Sequence, residues 1–553
     1  MKNSKIIAAK RIAVAVAAVC ATMSAPAFAA NETKNLLDLL LKKGVITQAE
    51  YDTYLKSDEY ENQQFKEKRT EDDLSKATKY VQKHEKDGSI KENGLGFKSA
   101  DGNSEINLTG RLHFDARSFD QNFGNTTDRD SGSMADRFSV RRARIGVTGV
   151  INKDITYELI TNLTGSNANL LDTGWMSYNF SPEFQLRAGK MKMPLGMETL
   201  TSSNNIDFME RSYLDQVASP GKQFGLMLQG ASNGVNYSAA AYQTGFDPST
   251  NSEGLSPEFG ARLSSDLSQA FGVAGDTVLH FGVAATAGKQ QVVPTTSSQK
   301  GHTYETKGAV LAFRDETLGL SNVWRDRIYG SCPTASAVNG SCTGTLNSGF
   351  SLPAQEAAQV DKKVAAFEAA IAYGPAKFQY EYADVKIDAK ARAISGAGGT
   401  WRDTAVSGNA IVSYASFIYN LTGESWKDAY KGGLFGGIKP KTNFNVKEGV
   451  GGAWQLAVRF SQYDASKFGS SDEDGLVTSN ASGKQYEIEG SPKGNTLTYG
   501  VNWLLNPNAR IMLNYAMTRF DQGFYPVDVG TVNSNSKIGN KSNALMLRTQ
   551  FNF

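Results

Sequence analysis

The chain is 553 residues long, 40% hydrophobic and 10% aromatic, with 54 glycines against 14 prolines, a composition suited to many strands and turns and unlike that of a disordered segment. It carries 58 basic and 56 acidic residues; the signs nearly cancel, which argues against a nucleic-acid binder and leaves any ion preference to charge placement. The length accommodates either several soluble domains or one large barrel with an appendage.

Lys2, Lys5, Lys10 and Arg11 precede an apolar run from Ile12 to Ala21, and Ala27-Phe28-Ala29 forms a small-x-small cleavage signature. Residues 1–29 therefore read as a secretory signal peptide, because the run is about half the ~20 residues a membrane helix needs. Val19 is too large for the small residue that usually precedes a lipidated cysteine, so Cys20 is discounted as a lipid anchor. Removing the leader takes four cations and leaves Cys332 and Cys342 as the cysteines of an exported chain. A disulfide across a Gly/Ser/Thr/Ala-rich loop is expected, with a free pair or half a metal site as alternatives.

Residues 30–93 differ in texture from the remainder of the chain. Leu36, Leu37, Leu39, Leu40 and Leu41 run into Lys42-Lys43-Gly44, and Thr47-Gln48-Ala49-Glu50 reads as a capping box opening a second helix. From Asp58 to Glu92 the chain is charged and poor in apolar residues. A helical periplasmic extension or linker is expected here, with peptidoglycan as a possible contact of residues 31–92.

Beyond Gly94 the period becomes two. Ile106, Leu108, Leu112 and Phe114 alternate with Asn107, Thr109, Arg111, His113 and Asp115, the signature of a strand with one apolar and one polar face. The alternation predicts strands near residues 105–119, 137–151, 155–164, 170–180, 183–193, 223–232, 235–245, 258–267, 277–289, 363–373, 376–387, 405–420, 453–464, 495–504, 508–520 and 542–553. Links at Ile151 to Ile155, Ser181-Pro182, Asn233-Gly234, Gly374-Pro375 and Asn506-Pro507 are tight, and polar stretches at 120–135, 194–222, 290–362, 388–404, 465–494 and 521–541 are long. An even number of two-faced strands with this loop asymmetry predicts an all-β fold, a transmembrane antiparallel β-barrel of about 16 strands over residues 94–553 in the outer membrane. Only the connection from Leu421 to Gly452 is long where a short turn is due; it leaves room for a missed hairpin.

A barrel of this size conducts solutes, and charged side chains at a constriction set its preference. The densest basic run is Arg141-Arg142-Ala143-Arg144. Strict alternation turns Arg142 and Arg144 to the lumen and Arg141 outward unless a bulge re-aims it; a rim cluster paired with Asp136 or lipid head groups is the alternative. The 194–222 stretch, containing Met209-Glu210-Arg211, is expected to fold inward with Arg211 facing the channel, or else to be an exposed loop with a Glu210–Arg211 surface pair. Arg111, Arg117 and Arg459 face the lumen, as do Asp115 and Glu381, while Lys190, Lys192, Arg314, Arg325 and Arg327 lie near loops. His84, His113, His280 and His302 form no zinc or nucleophile motif; no catalytic residue, metal or cofactor is expected, although His113 faces the lumen and an outer-membrane enzyme stays conceivable.

Phe138-Ser139-Val140-Arg141-Arg142-Ala143-Arg144-Ile145-Gly146, Leu186-Arg187-Ala188-Gly189-Lys190, Gly196-Met197-Glu198, Met209-Glu210-Arg211, Tyr499-Gly500-Val501-Asn502-Trp503 and Leu547-Arg548-Thr549-Gln550-Phe551-Asn552-Phe553 together resemble the phosphate-selective porin O and P family. The resemblance implies a sixteen-stranded, usually trimeric barrel whose inward loops carry basic residues that pass phosphate or pyrophosphate. It implies constriction arginines at Arg141, Arg142 and Arg211, and hence a break in alternation near Arg141. Two features depart from the family pattern: Thr199 stands where a lysine follows the Gly-x-Glu motif, and only Arg314, Arg325 and Arg327 stand for a loop ladder of arginines.

The expected function is passive, anion-favouring diffusion of small solutes such as phosphate, with Arg141, Arg142, Arg211, Arg144 and Arg111 at the narrowest point. Outer-membrane lipid and lipopolysaccharide, and two further copies of the chain, are the expected partners. A general-diffusion pore or an envelope-anchoring barrel with little anion selectivity is the alternative.

Overall fold

The computed structural model describes residues 95–120, 136–164, 170–243, 257–273, 275–292, 311–313, 316, 324–328, 358–395, 400–468, 486–521 and 540–553. The expected leader, the expected helical extension over residues 30–93, Arg314 and the expected Cys332–Cys342 disulfide lie outside the described residues.

Sixteen strands form one closed antiparallel ring. They are β1 (Glu105–Phe119), β2 (Arg137–Ile151), β3 (Ile155–Asn162), β4 (Leu171–Ser181), β5 (Phe184–Lys192), β6 (Lys222–Ser232), β7 (Val235–Gln243) and β8 (Pro257–Asp266). The ring continues through β9 (Thr277–Val292), β10 (Ala358–Tyr373), β11 (Ala376–Ser395), β12 (Thr400–Asn420), β13 (Ala453–Asp464), β14 (Lys493–Asn506), β15 (Ala509–Phe520) and β16 (Lys541–Asn552). β16 closes on β1 from Arg111 opposite Asn552 to Phe119 opposite Ala544. At this seam the ring of Phe553 occupies the space a side chain at residue 110 would need, 2.3 Å from a Cβ built on Gly110. Glycine is required there for the last aromatic residue to cover the joint.

The period-two pattern produces the wall directly. Phe114, Leu159, Met176, Leu226, Ile371 and Phe551 point outward and are about half exposed, whereas His113, Asp115, Ser177, Asn502, Thr518 and Arg548 point inward and are buried. In water the outer face would be an aggregation surface; in a bilayer it is the solvated one, and closure leaves no backbone edge in lipid. Tight turns on one side are made by residues held at positive φ: Asn233 with Gly234 in a two-residue hairpin, and Asn152 and Lys153 in a three-residue link from Ile151 to Ile155.

Three strands run farther than the alternation indicates. β10 begins at Ala358, and β11 and β12 extend to Ser395 and from Thr400, which reduces the expected 388–404 loop to a short link. By parity Asp388, Lys390 and Arg392, with Asp403 opposite Arg392, fall on the face that is apolar and outward farther down the wall. The backbone ladder continues while the apolar signal that reveals a strand stops, because the hairpin has left the lipid.

The long connection between β12 and β13 holds the missed hairpin. A short helix, Trp426–Ala429, leads into a two-residue pairing of Tyr430–Lys431 with Leu434–Phe435. This segment folds into the barrel from the short-turn side. Trp426, Phe435 and Ile438 are buried together with Met197 and Phe208 of the 193–221 loop. Lys377 of β11 lies over the Trp426 ring at 3.8 Å and pairs with Asp207 at 2.7 Å, so a cation–π contact and an ion pair join the two inserts.

Candidate pore constriction

β1 and β2 pair in register from Glu105 opposite Val150 to His113 opposite Arg142, and then Phe114 faces Val140. Arg141 is thus the extra residue of a β-bulge. The strict-alternation reading of Arg141 as outward is corrected: its guanidinium turns inward and donates to Glu210, Nε to Oε1 at 2.8 Å and Nη2 to Oε2 at 3.1 Å. Phe138 and Val140, by contrast, face lipid. The bulge places Arg141 and Arg142 side by side in the lumen.

The loop between β5 and β6, with α1 (Met197–Leu200) and α2 (Tyr213–Val217), enters the barrel and is buried along most of its length. Ile206, Phe208, Met209, Tyr213, Leu214 and Val217 supply its apolar contacts. A backbone inside a barrel must find its hydrogen bonds on the wall, and the wall provides them. Glu381 accepts from the N–H groups of Met197 at 2.8 Å and Glu198 at 2.7 Å. Asn514 accepts from Met209 N–H at 2.7 Å, Asn502 donates to Asp207 O at 2.8 Å, and Gln550 donates to Asn204 O at 3.0 Å. The alternative reading, an exposed loop with a Glu210–Arg211 surface pair, does not hold: the loop is buried and Glu210 pairs with Arg117, Arg141 and Arg548.

Glu210 instead anchors the loop to the β1/β2/β16 wall. Its carboxylate accepts from Arg117 at 2.7 Å and Arg548 at 2.9 Å besides Arg141, and Arg142 stands 3.9 Å away. Asp115 shares Arg117 at 2.6 Å and Arg548 at 2.7 Å. Burial alone would push the Glu210 carboxyl up, but Arg141, Arg548, Arg117 and Arg142 hold it well below the usual carboxylate range. Arg459 makes a second anchor, to Glu198 at 2.9 Å and to Glu316 of the β9–β10 connection at 2.9 Å.

A cavity of about 580 Å³ lies beside the inserted loop along β1 to β8. Eight cations line it, Arg111, Arg142, Arg144, Arg187, Lys192, Arg211, Lys222 and Arg262, against two carboxylates, Glu158 and Asp172. Arg111 of β1 lies directly across from Arg144 of β2, a like-charge pairing that costs sheet stability and is relieved by Asp172, 2.9 Å from Arg144 and also paired with Lys222. Arg111 donates to Ser203 of the loop at 2.8 Å.

Arg211 lines the same cavity, with Nε on Glu198 O at 3.0 Å and Nη2 on Thr201 O at 2.8 Å. Lys192 donates to three carbonyls of the same turn, Thr199 at 2.6 Å, Leu200 at 3.0 Å and Thr201 at 2.8 Å. Both cations meet the carbonyl end of α1, where orphan acceptors collect. Arg111, Arg142, Arg144 and Arg211 are thus gathered on one passage, and Arg141 stands behind them as a strut. Arg187, Lys222 and Asp172 were not singled out from sequence; the inward parity of Arg187 on β5 was the available signal.

Arg325 and Arg327 lie elsewhere. They belong to a short strand, Trp324–Ile328, whose register sets Arg325 opposite Glu489 and Arg327 opposite Glu487. His113 is buried with Nε2 3.3 Å from Asn204 Oδ1. Among the described residues no group of three or more His, Cys, Asp or Glu side chains is placed to hold a metal.

A closed barrel with a lipid-facing apolar wall and a charged passage through it is an outer-membrane β-barrel channel. The family model for phosphate-selective porin O and P matches residues 106–303 and 345–553. The chain belongs to the phosphate-selective porin O and P family and is an outer-membrane porin. No curated protein matches it. Similar solved structures include a loop-deletion mutant of the outer membrane protein OmpT of Vibrio cholerae (9% identity, 82% of this chain and 100% of that one, TM-score 0.42). They also include the trimer form of OmpT (10%, 81% and 99%, 0.41) and an anion-selective porin from Comamonas acidovorans (12%, 81% and 100%, 0.41).

Proposed function

We propose that the protein conducts small anions, inorganic phosphate among them, by passive diffusion, with Arg142, Arg211, Arg144 and Arg111 as the filter and Arg141 holding the loop that shapes it. The observation that carries this is the balance of eight cations to two carboxylates around one passage. A low-dielectric wall concentrates their field. Guanidinium forks replace part of an oxyanion's water shell bidentately, while Glu158 and Asp172, the latter paired with Arg144 and Lys222, keep the hold weak enough for release.

Planar-bilayer reversal potentials in a potassium chloride gradient test the reading. The wild type is expected to favour chloride, and Arg211→Glu to lower the chloride-to-potassium permeability ratio severalfold; an unchanged ratio would remove Arg211 from the filter.

We also infer a homotrimer. β3 has 8 residues and β5 and β7 have 9, at or below the roughly 9–11 that a tilted strand needs to cross a bilayer. A neighbouring copy shields this low wall from lipid. Native mass spectrometry in detergent is expected to give the mass of three chains; a monomer at all concentrations contradicts the inference.

A further inference from the structure

Beyond the constriction the same cavity changes character. On β5 it passes from Lys192 to Arg187, close to the tight turn before Phe184. Here the lining includes the exposed Pro182 and the partly exposed Trp175, Leu200, Tyr237 and Leu434 beside the charged groups. Arg187 lies over the indole of Trp175, 3.7 Å from the ring centroid, and the indole N–H is taken by Glu158 at 3.0 Å. The guanidinium therefore has one face on an aromatic ring.

Three donors along this passage, Arg142 Nη1, Arg144 Nε and Arg187 Nε, are buried and have no hydrogen-bond partner among the described residues. Arg187 also makes no ion pair within 4.0 Å there, unlike Arg144 with Asp172. A buried donor without a partner is costly unless something in the passage satisfies it. Bare phosphate satisfies donors but has no use for an indole, a proline and a leucine on the same wall.

Resting on the anion-channel reading, we propose that this part of the passage is a binding subsite for organic oxyanions carrying a flat apolar group, such as aryl phosphates or aromatic carboxylates. The oxyanion takes the terminal N–H groups of Arg187, whose guanidinium lines the cavity and makes no ion pair among the described residues. The ring lies against Trp175, Pro182 and Leu434, on a surface whose guanidinium also stacks favourably on aromatic faces. The cavity, about 580 Å³, falls within the range of pockets that enclose small organic ligands. Glu158 at the far edge of the indole limits the grip, as permeation requires.

The test is block of chloride current by phenyl phosphate against inorganic phosphate, in planar bilayers at one pH. Covering roughly 50 Å² of phenyl surface corresponds to about a tenfold lower half-blocking concentration for phenyl phosphate. Trp175→Ala is expected to bring the two half-blocking concentrations together, Trp175→Phe to restore most of the difference, and Arg187→Gln to weaken block by both. Equal block of the wild type, or a preference that survives Trp175→Ala, overturns the subsite. A channel that fails to favour chloride over potassium instead overturns the anion reading itself, so the two failures are distinguishable.

Discussion

Glu210→Gln is expected to free the inserted loop, raising single-channel conductance and open-channel noise while lowering the unfolding temperature of the detergent-solubilised barrel. Arg117, Arg141 and Arg548 donate to this carboxylate and Arg142 lies near it. With glutamine in place, the carboxylate of Asp115 still pairs with Arg117 and Arg548, but the shared partner of Arg141 is gone. Removing one partner of a buried ion network costs about 3–5 kcal/mol, because the remaining charges stay buried without compensation. Since Glu210 is the charged tie of the loop to β1, β2 and β16, beside the Arg111–Ser203 and Gln550–Asn204 hydrogen bonds, the cost falls on loop docking, and the loop's excursions widen the passage. Recordings indistinguishable from wild type, together with an unchanged melting curve, would exclude this role.

The same network sets a pH dependence of definite sign. The folded carboxyl of Glu210 is held well below its unfolded value, so its contribution is fully present above the unfolded value of about 4.3 and is lost as pH falls through the folded one. The loop therefore stays docked at mildly acidic pH and loosens only in stronger acid.

The double variant Arg111→Glu/Arg142→Gln is expected to lower the chloride-to-potassium permeability ratio about tenfold, moving the reversal potential toward that of a non-selective pore. Neither position needs its charge to hold the fold: Arg111 donates to a hydroxyl of Ser203, and Arg142 stands 3.9 Å from a carboxylate that three other arginines already serve. The lining changes from eight cations and two carboxylates to six and three. A charge about 6 Å from the ion's path contributes on the order of 1 kcal/mol at an effective dielectric of about 40, and mobile counter-ions reduce the summed change to about tenfold. The readout is the reversal potential across a potassium chloride gradient, repeated at high salt, where the difference from wild type should shrink. A ratio unaffected by both substitutions would place the filter elsewhere.

Most of the barrel is written locally. Side chains alternate strictly along a strand, so the pattern at Ile511, Leu513, Tyr515 and Met517 shows which face meets lipid without any knowledge of neighbours. Turn residues are equally local, and Asn233-Gly234 takes the positive φ values that its composition favours. The buried hairpin after Trp426 left a trace, since Trp426, Tyr430, Leu434 and Phe435 are a dense apolar group for an aqueous turn.

What stayed hidden depends on residues far apart in the chain. The inward turn of Arg141 follows from the extra residue opposite His113 and Phe114, a matter of cross-strand hydrogen bonding that the alternation of β2 cannot express; only the family-like run of arginines hinted at it. Glu210 meets Arg117 across 93 positions and Arg548 across 338, and Arg211 and Lys192 share the carbonyls of α1 only because the loop folds inward. By itself the sequence determined the strands, their faces and the membrane they cross, because side-chain direction and apolar solvation act within a few residues. The tertiary structure decided which arginines face the passage and which hold its loop, because that division is made by ring closure and by ion pairs formed in a shared, water-poor interior.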